Sequence, residues 1–257
     1  MSKYIENKIC VITGGADGIG LSIADKYLEN NAKVVILVDF NEQKGKEAAK
    51  ILNTKHGDGK AEFIKCDVRK DLEATYNVIM DNYQYVDVLV NNAGIGDAIP
   101  RRTMETNAIA VIEWSLKFSN HMRKDTEGKG GTIVNVASVL GYDIVPYAHI
   151  YQASKFAVTG FTRSLGHKYL YPTRGVRMVC LCPGLTKTNL SQAVLMMKPQ
   201  SDYEAEVIKE FKDMVIQEVD VVGEAAVEIL ERADSGTVWS IINGELKNVH
   251  MEVKYKL

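Results

Sequence analysis

Short apolar runs alternate with longer segments of helical period along this sequence, and the alternation leaves few architectures open. The runs are KICVIT (8–13), KVVILV (33–38), AEFIK (61–65), VDVLV (86–90), GTIVNVA (131–137), VRMVCLC (176–182) and TVWSII (237–242). Between them, helices are expected near 19–31, 42–55, 71–84, 104–124, 151–170, 204–216 and 222–233. Strands apolar on both faces, each followed by a helix, predict an α/β fold with a doubly wound parallel sheet of about seven strands covered on both sides. No Pro/Gly/Ser linker divides the 257 residues, a length that large α/β sheets reach as a single unit, so one domain is expected over 1–257. Only 185–220 exceeds a simple connection, and NLSQAVLMMKPQSDY within it reads as a mobile, Met-containing flap. The tail at 245–257 ends in VHMEVKYKL, whose Val249, Met251, Val253, Tyr255 and Leu257 alternate at strand period. It is expected either to add an edge strand or cover an apolar patch, or to reach a partner subunit or the substrate.

Composition excludes several functions. A net charge of -2, with both signs mixed throughout, lacks the basic footprint that nucleic acid requires. With 46% apolar and 25% charged residues the chain reads as a soluble globular protein. MSKYIENK has no apolar signal core, and the longest apolar runs are too short to span a bilayer. A cytoplasmic protein without a membrane span is expected. Cys10, Cys66, Cys180 and Cys182 fall in or beside strand-like runs and read as buried thiols. No further Cys or His stands at ligand spacing, so no metal site is expected.

The first strand runs into TGGADGIG (13–20), where Gly14, Gly18 and Gly20 suit a tight turn, a close pyrophosphate and a packed helix whose first amides face the anion. Such a loop alone is ambiguous, but its place between strand and helix favours a dinucleotide and a Rossmann-like sheet. Asp39 ends the second strand 19 residues past Gly20, where a carboxylate accepts hydrogen bonds from ribose hydroxyls and repels a 2′-phosphate. Asp17 adds negative charge, and Phe40 stands where a phosphate binder would carry Arg or Lys. NAD is therefore expected over NADP. Asp67, Asn91 to Gly94, Ser138, Pro183 and Gly184 fall at the carboxyl ends of other strands, the edge where such sheets bind ligands, although each is also an ordinary turn residue. YQASK (151–155) puts Tyr151 and Lys155 on one helix face. YIENK (4–8) repeats that spacing without any of this company.

Together TGGADGIG, NNAG (91–94), Asn107, Ser138, YQASK and PGLTKT (183–188) resemble the short-chain dehydrogenase/reductase family, over nearly the whole chain and in its order and spacing. Within it, the sequence is most similar to the insect alcohol dehydrogenase and 15-hydroxyprostaglandin dehydrogenase branch. The resemblance implies a catalytic set of Asn107, Ser138, Tyr151 and Lys155. Tyr151 would exchange a proton with the substrate oxygen, its pKa lowered by Lys155; Ser138 would hydrogen-bond that oxygen; Asn107 would hold a water linking Lys155 to solvent. For Asn107 a polar residue kinking a helix is an open alternative. The implied cofactor contacts are Gly14, Asp17, Gly18, Ile19, Gly20, Asp39, Phe40, Asp67 and Val68 toward the adenosine and pyrophosphate, with Asn91, Ala93 and Gly94 beside them. Tyr151, Lys155, Pro183, Gly184, Leu185, Thr186 and Thr188 would sit at the nicotinamide. Asn243, Gly244 and Glu245 replace the family's Asp-Gly-Gly turn after the last strand, which leaves the substrate open.

Around the reacting carbon, Ile95, Leu140, Tyr142, Val145, Ala148, Val194, Met196 and Met197 form an apolar set suited to a lipophilic alcohol or ketone. Apolar residues on more than one face of the helices from 106 and 151 predict a homodimer or homotetramer. The expected function is NAD-dependent oxidation of a secondary or long-chain alcohol. A carbonyl reductase of a terpenoid or steroid ketone, and a catalytically silent protein that kept the fold for binding or storage, are the alternatives.

Overall fold

The computed structural model describes residues 3–196 and 201–251. It contains the seven expected strands, β1 (Ile9–Thr13), β2 (Val34–Asp39), β3 (Ala61–Lys65), β4 (Val88–Asn91), β5 (Gly131–Val136), β6 (Val176–Pro183) and β7 (Thr237–Ile242), followed by β8 (Glu245–Asn248). They form one sheet in the order β3-β2-β1-β4-β5-β6-β7-β8. All neighbours pair in parallel except β7 and β8. The direction of winding reverses at β1, which lies between β2 and β4, so a crevice opens at the carboxyl ends of these strands.

The helices are α1 (Gly18–Glu29), α2 (Glu42–His56), α3 (Leu72–Tyr83), α4 (Pro100–Met104), α5 (Ala110–Met122), α6 (His149–Leu165), α7 (Tyr171–Arg174), α8 (Asn189–Leu195), α9 (Asp202–Asp213) and α10 (Val219–Arg232). Alternate strand residues face opposite layers. Cys10 and Ile12 of β1 and Val35 and Leu37 of β2 pack with Ile23 and Tyr27 of α1, Leu52 of α2 and Ile229 of α10. Their neighbours Val11, Ile36 and Leu89 face the other way, onto Ile79 of α3 and Trp114 and Phe118 of α5. Val158 of α6 closes the sheet's second face over Cys180 and Cys182 of β6. All four cysteines are free and buried. No helix among the described residues is long and apolar enough to cross a membrane.

Two regions differ from the expectation. The eighth strand begins at Glu245 rather than within 249–257, because Asn243 (φ 51°) and Gly244 (φ 79°) make the two-residue hairpin turn that joins it antiparallel to β7. Beyond β8, Val249 and Met251 cover the apolar cluster of Val158, Cys182 and Val238, as an extended tail would. Val253, Tyr255 and Leu257 lie outside the described residues. The second difference is the flap, which carries the unexpected short helix α8 before α9, the helix expected near 204–216, and is joined at its base by a bridge between Thr186 and Gln217.

Candidate active site

The cleft at the carboxyl ends of the strands has a volume of about 960 Å³. Its first wall is the turn between β1 and α1. Gly14 adopts φ +64°, and a Cβ there would stand 2.9 Å from the Cα of Ala93. At Gly20 a Cβ would meet the Gly14 carbonyl oxygen at 2.1 Å, so glycine is what lets α1 start directly behind the loop. Asp17 caps α1, accepting from Gly18 N at 2.8 Å. Its other oxygen accepts from Lys44 Nζ at 2.6 Å and Asn189 Nδ2 at 2.7 Å. The Lys44 ammonium chiefly holds this carboxyl below its usual range.

At the end of β2, Asp39 accepts from Ala16 N at 3.2 Å and from Asn41 N at 2.9 Å, which fixes the carboxylate at the cleft wall. Phe40 beside it is 74% exposed. Asp67 is gripped by Arg69 through two side-chain hydrogen bonds of 2.9 and 2.6 Å, which lower its pKa. Ile19, Val68, Ala93, Gly94, Pro183, Gly184, Leu185, Thr186 and Thr188 also line the cleft. These features fit a dinucleotide: a glycine cradle at a helix amino terminus, a carboxylate at one end, and a polar cluster at the other.

That polar cluster is built by β5 and α6. Ser138 follows β5, and its hydroxyl accepts from Leu140 N at 3.2 Å. Tyr151 and Lys155 stand on successive turns of α6 and, with Ser138, face the cleft. Burial pushes the Tyr151 phenol up to about 12, partly offset by a hydrogen bond with Ser138. Lys155 is 4% exposed, donates to Val136 O at 3.0 Å, and places Nζ 5.5 Å from the Tyr151 ring centroid. Burial pulls its amine down to about 8. Desolvation is thus the largest influence on the phenol in this arrangement, ahead of the Ser138 hydrogen bond.

Asn107, Gly20 and Asn91 do not line the cleft. Asn107 is fully buried in a π-helical turn, Glu105–Ile109, between α4 and α5, so the helix is distorted there. Its side chain accepts from Ile95 N at 2.8 Å and donates to Ile95 O at 2.8 Å and Ser154 Oγ at 3.2 Å. A Cβ on Gly94 would lie 3.5 Å from Asn107 Oδ1 and 3.7 Å from Lys155 Nζ, so Asn107 stands just behind the reacting end. Asn91 points into the protein, donating to Ser115 Oγ at 2.9 Å and Asn135 Oδ1 at 2.8 Å. Its side chain supports the sheet and takes no part in lining the cleft.

Of the apolar set, Ile95, Leu140, Val145 and Ala148 line the cleft. Tyr142 does not; it packs on the cluster under β6. Met196 is 78% exposed and also lies off the cleft, whereas Leu190 and Met214 from the flap line it. The Val194 side chain and Met197 lie outside the described residues. Tyr4 and Lys8 are remote from the cleft, Lys8 pairing with Asp87 at 3.2 Å. Sequence reasoning missed the cleft residues Lys44, Asp97 and Arg102 as a group, whereas Asn92, placed at the ligand-binding edge from its strand-end position, does line the cleft. The place of Lys44, three residues past the Asn41 cap of α2, was the available sign.

The sequence model described as short chain dehydrogenase matches residues 8–199. Alcohol dehydrogenase 1 of Ceratitis capitata is 34% identical over 255 residues, 98% of each chain. The 15-hydroxyprostaglandin dehydrogenase [NAD(+)] of Homo sapiens is 32% identical over 215 residues, 82% of this chain and 80% of its own. Among solved structures, NAD+-bound xylitol dehydrogenase superposes with a TM-score of 0.81 at 22% identity, covering 93% of this chain and 99% of that one. A glycine cradle, a strand-end carboxylate and a Ser-Tyr-Lys cluster on one sheet edge, joined to that match across three quarters of the sequence, make this chain a member of the short-chain dehydrogenase/reductase family of oxidoreductases.

Proposed function

We propose that the protein is an NAD-dependent alcohol dehydrogenase acting on a secondary or long-chain apolar alcohol, or on the corresponding ketone in reverse. The observation that carries this reading is the arrangement of Ser138, Tyr151 and Lys155 at one end of a cleft whose other end holds Asp39. NAD, when bound, supplies the acceptor for the hydride that leaves the alcohol carbon. Gly14, Gly18 and the first turn of α1 hold the pyrophosphate, Asp39 the adenosine ribose, and Asp67 and Val68 the adenine. Leu185 and Thr188 orient the nicotinamide. Ser138 hydrogen-bonds the alcohol oxygen, and Tyr151 takes its proton. Lys155 keeps positive charge beside the phenol, with Asn107 holding the water behind it.

Three pocket cations are already spoken for: Lys44 by Asp17, Arg69 by Asp67, and Arg102 by Asp97 at 3.2 Å. That pairing supports an uncharged substrate and a cofactor without a 2′-phosphate. Secondary alcohols of increasing chain length, screened with NAD and NADP, are expected to be oxidised with NAD by about tenfold or more over NADP, and Asp39→Ala narrows that preference. Equal use of NADP by the wild type would overturn the role given to Asp39.

A second reading is carbonyl reductase, in which the phenol, pushed up to about 12 and so protonated at neutral pH, gives its proton to the carbonyl oxygen. Initial rates in both directions separate the two. Ile109, Leu116 and Phe156 on and beside α5 and α6 are 36–45% exposed and offer an apolar face for a homodimer or homotetramer. Light scattering at micromolar concentration is expected to give a multiple of 28.5 kDa, and a monomeric mass refutes it.

A further inference from the structure

The segment between Ser138 and α6 forms the wall of the cleft beside Tyr151, with Val145, Tyr147 and Ala148 among its lining residues. Nothing regular holds it: it is neither strand nor helix from Tyr142 to Ala148. Ala148 adopts φ 56°, ψ 35°, a left-handed conformation unfavourable for any residue with a Cβ, immediately before the first residue of α6. Such a conformation persists only where the surroundings impose it.

Gln152 supplies the constraint. Its side chain is 7% exposed and lies next in sequence to Tyr151. Oε1 accepts from Val145 N at 3.1 Å, and Nε2 donates to Val145 O at 2.7 Å and Tyr147 O at 2.6 Å. One amide thus satisfies three backbone groups on either side of Pro146, while the backbone N of Gln152 donates to Ala148 O at 2.8 Å. The Tyr203 hydroxyl of α9 donates to the Pro146 carbonyl from the other side, so the wall that Gln152 ties to the catalytic helix also carries the flap. Only a carboxamide offers an acceptor and two donors in this planar arrangement, and Asn is one methylene shorter than Gln; Glu lacks the donors, and Met has no donor and only a weak acceptor.

We propose that Gln152 is a positioning residue that fixes the substrate wall relative to Tyr151 and thereby sets how long an alcohol the cleft accepts. The proposal rests on reading the cleft as an alcohol site. In Gln152→Ala, and in Gln152→Met, which keeps the buried volume, KM for the longest alcohol oxidised should rise about tenfold or more. The shortest alcohol should be affected less than about threefold, and NADH affinity should stay within about twofold. In parallel, hydrogen exchange at the Val145 amide should accelerate by about tenfold or more while amides in β1 and β4 keep their protection. Equal losses for short and long alcohols, a parallel loss of NADH binding, or unchanged exchange at Val145 would each overturn the assignment. If the wild type oxidises no alcohol, the substrate reading fails, yet exchange at Val145 still decides whether Gln152 holds the wall.

Discussion

Replacing Tyr151 by Phe is expected to lower kcat for alcohol oxidation by about 10² to 10⁴-fold while NADH affinity, measured by fluorescence titration, changes less than about twofold. The ring stays in place on α6, so the packing around it is preserved and only the hydroxyl is lost. That hydroxyl is the titratable group hydrogen-bonded to Ser138 at the reacting end. His149 also lines the cleft, but it is exposed and two residues earlier on the helix, about 200° around the axis from Tyr151, so His149→Ala should retain most activity. The pH profile provides an independent readout. A phenol pushed up to about 12 holds its proton through the neutral range, so its ionised fraction rises about tenfold with each pH unit. Oxidation by the wild type should therefore climb with pH up to about pH 8, above which Lys155 loses the positive charge beside the phenol. Carbonyl reduction, which uses the protonated phenol, should show no such climb. Residual turnover in Tyr151→Phe should lose the slope. A variant that keeps both its rate and its slope would show that the proton passes through another group.

The parts of this site legible in the sequence are those with a fixed spacing along one element or one turn. Gly14, Gly18 and Gly20, Asp39 at a strand end, and Tyr151 with Lys155 on one helix face carry such a signature, because backbone geometry alone brings them to the sheet edge. The six interior strands were legible for a related reason: being buried on both faces, they are largely apolar, and β3 at the far edge showed through the Phe-Ile pair of AEFIK. The eighth was not, since Glu245–Asn248 is a mostly exposed edge strand whose composition is that of a loop. Its clue was Asn243-Gly244, the turn that forces a hairpin. Gln152 escaped for a different reason. A buried amide that satisfies irregular backbone has no period, and its partners at Val145 and Tyr147 become neighbours only once the wall has folded. Tyr142 shows the converse error: it belongs to the right segment, but its ring packs beneath β6.

Lys155→Met should trade activity for stability. Lys155 is almost wholly buried, and Val136 O at 3.0 Å is a neutral acceptor that only partly replaces hydration of the ammonium. Burial lowers its pKa from 10.5 to about 8, which corresponds to about 3 kcal/mol spent at neutral pH to keep the charge inside the fold. Because the folded value lies below the unfolded one, this cost is complete below about pH 8 and is relieved as pH rises toward 10.5, where the unfolded chain binds more protons than the folded one. Methionine keeps much of the stem's packing and carries no charge. The variant should thus be more stable than the wild type by about 1 to 3 kcal/mol at pH 7 in denaturant titrations, with the gap closing by pH 10. Its kcat should fall by about 10²-fold or more, since the positive charge beside the Tyr151 phenol is gone. A variant that is less stable at pH 7, or whose advantage does not shrink with rising pH, would mean that the ammonium is well solvated by the fold. A buried cation retained at such a cost is accounted for by its place next to the phenol, because packing alone would favour methionine there.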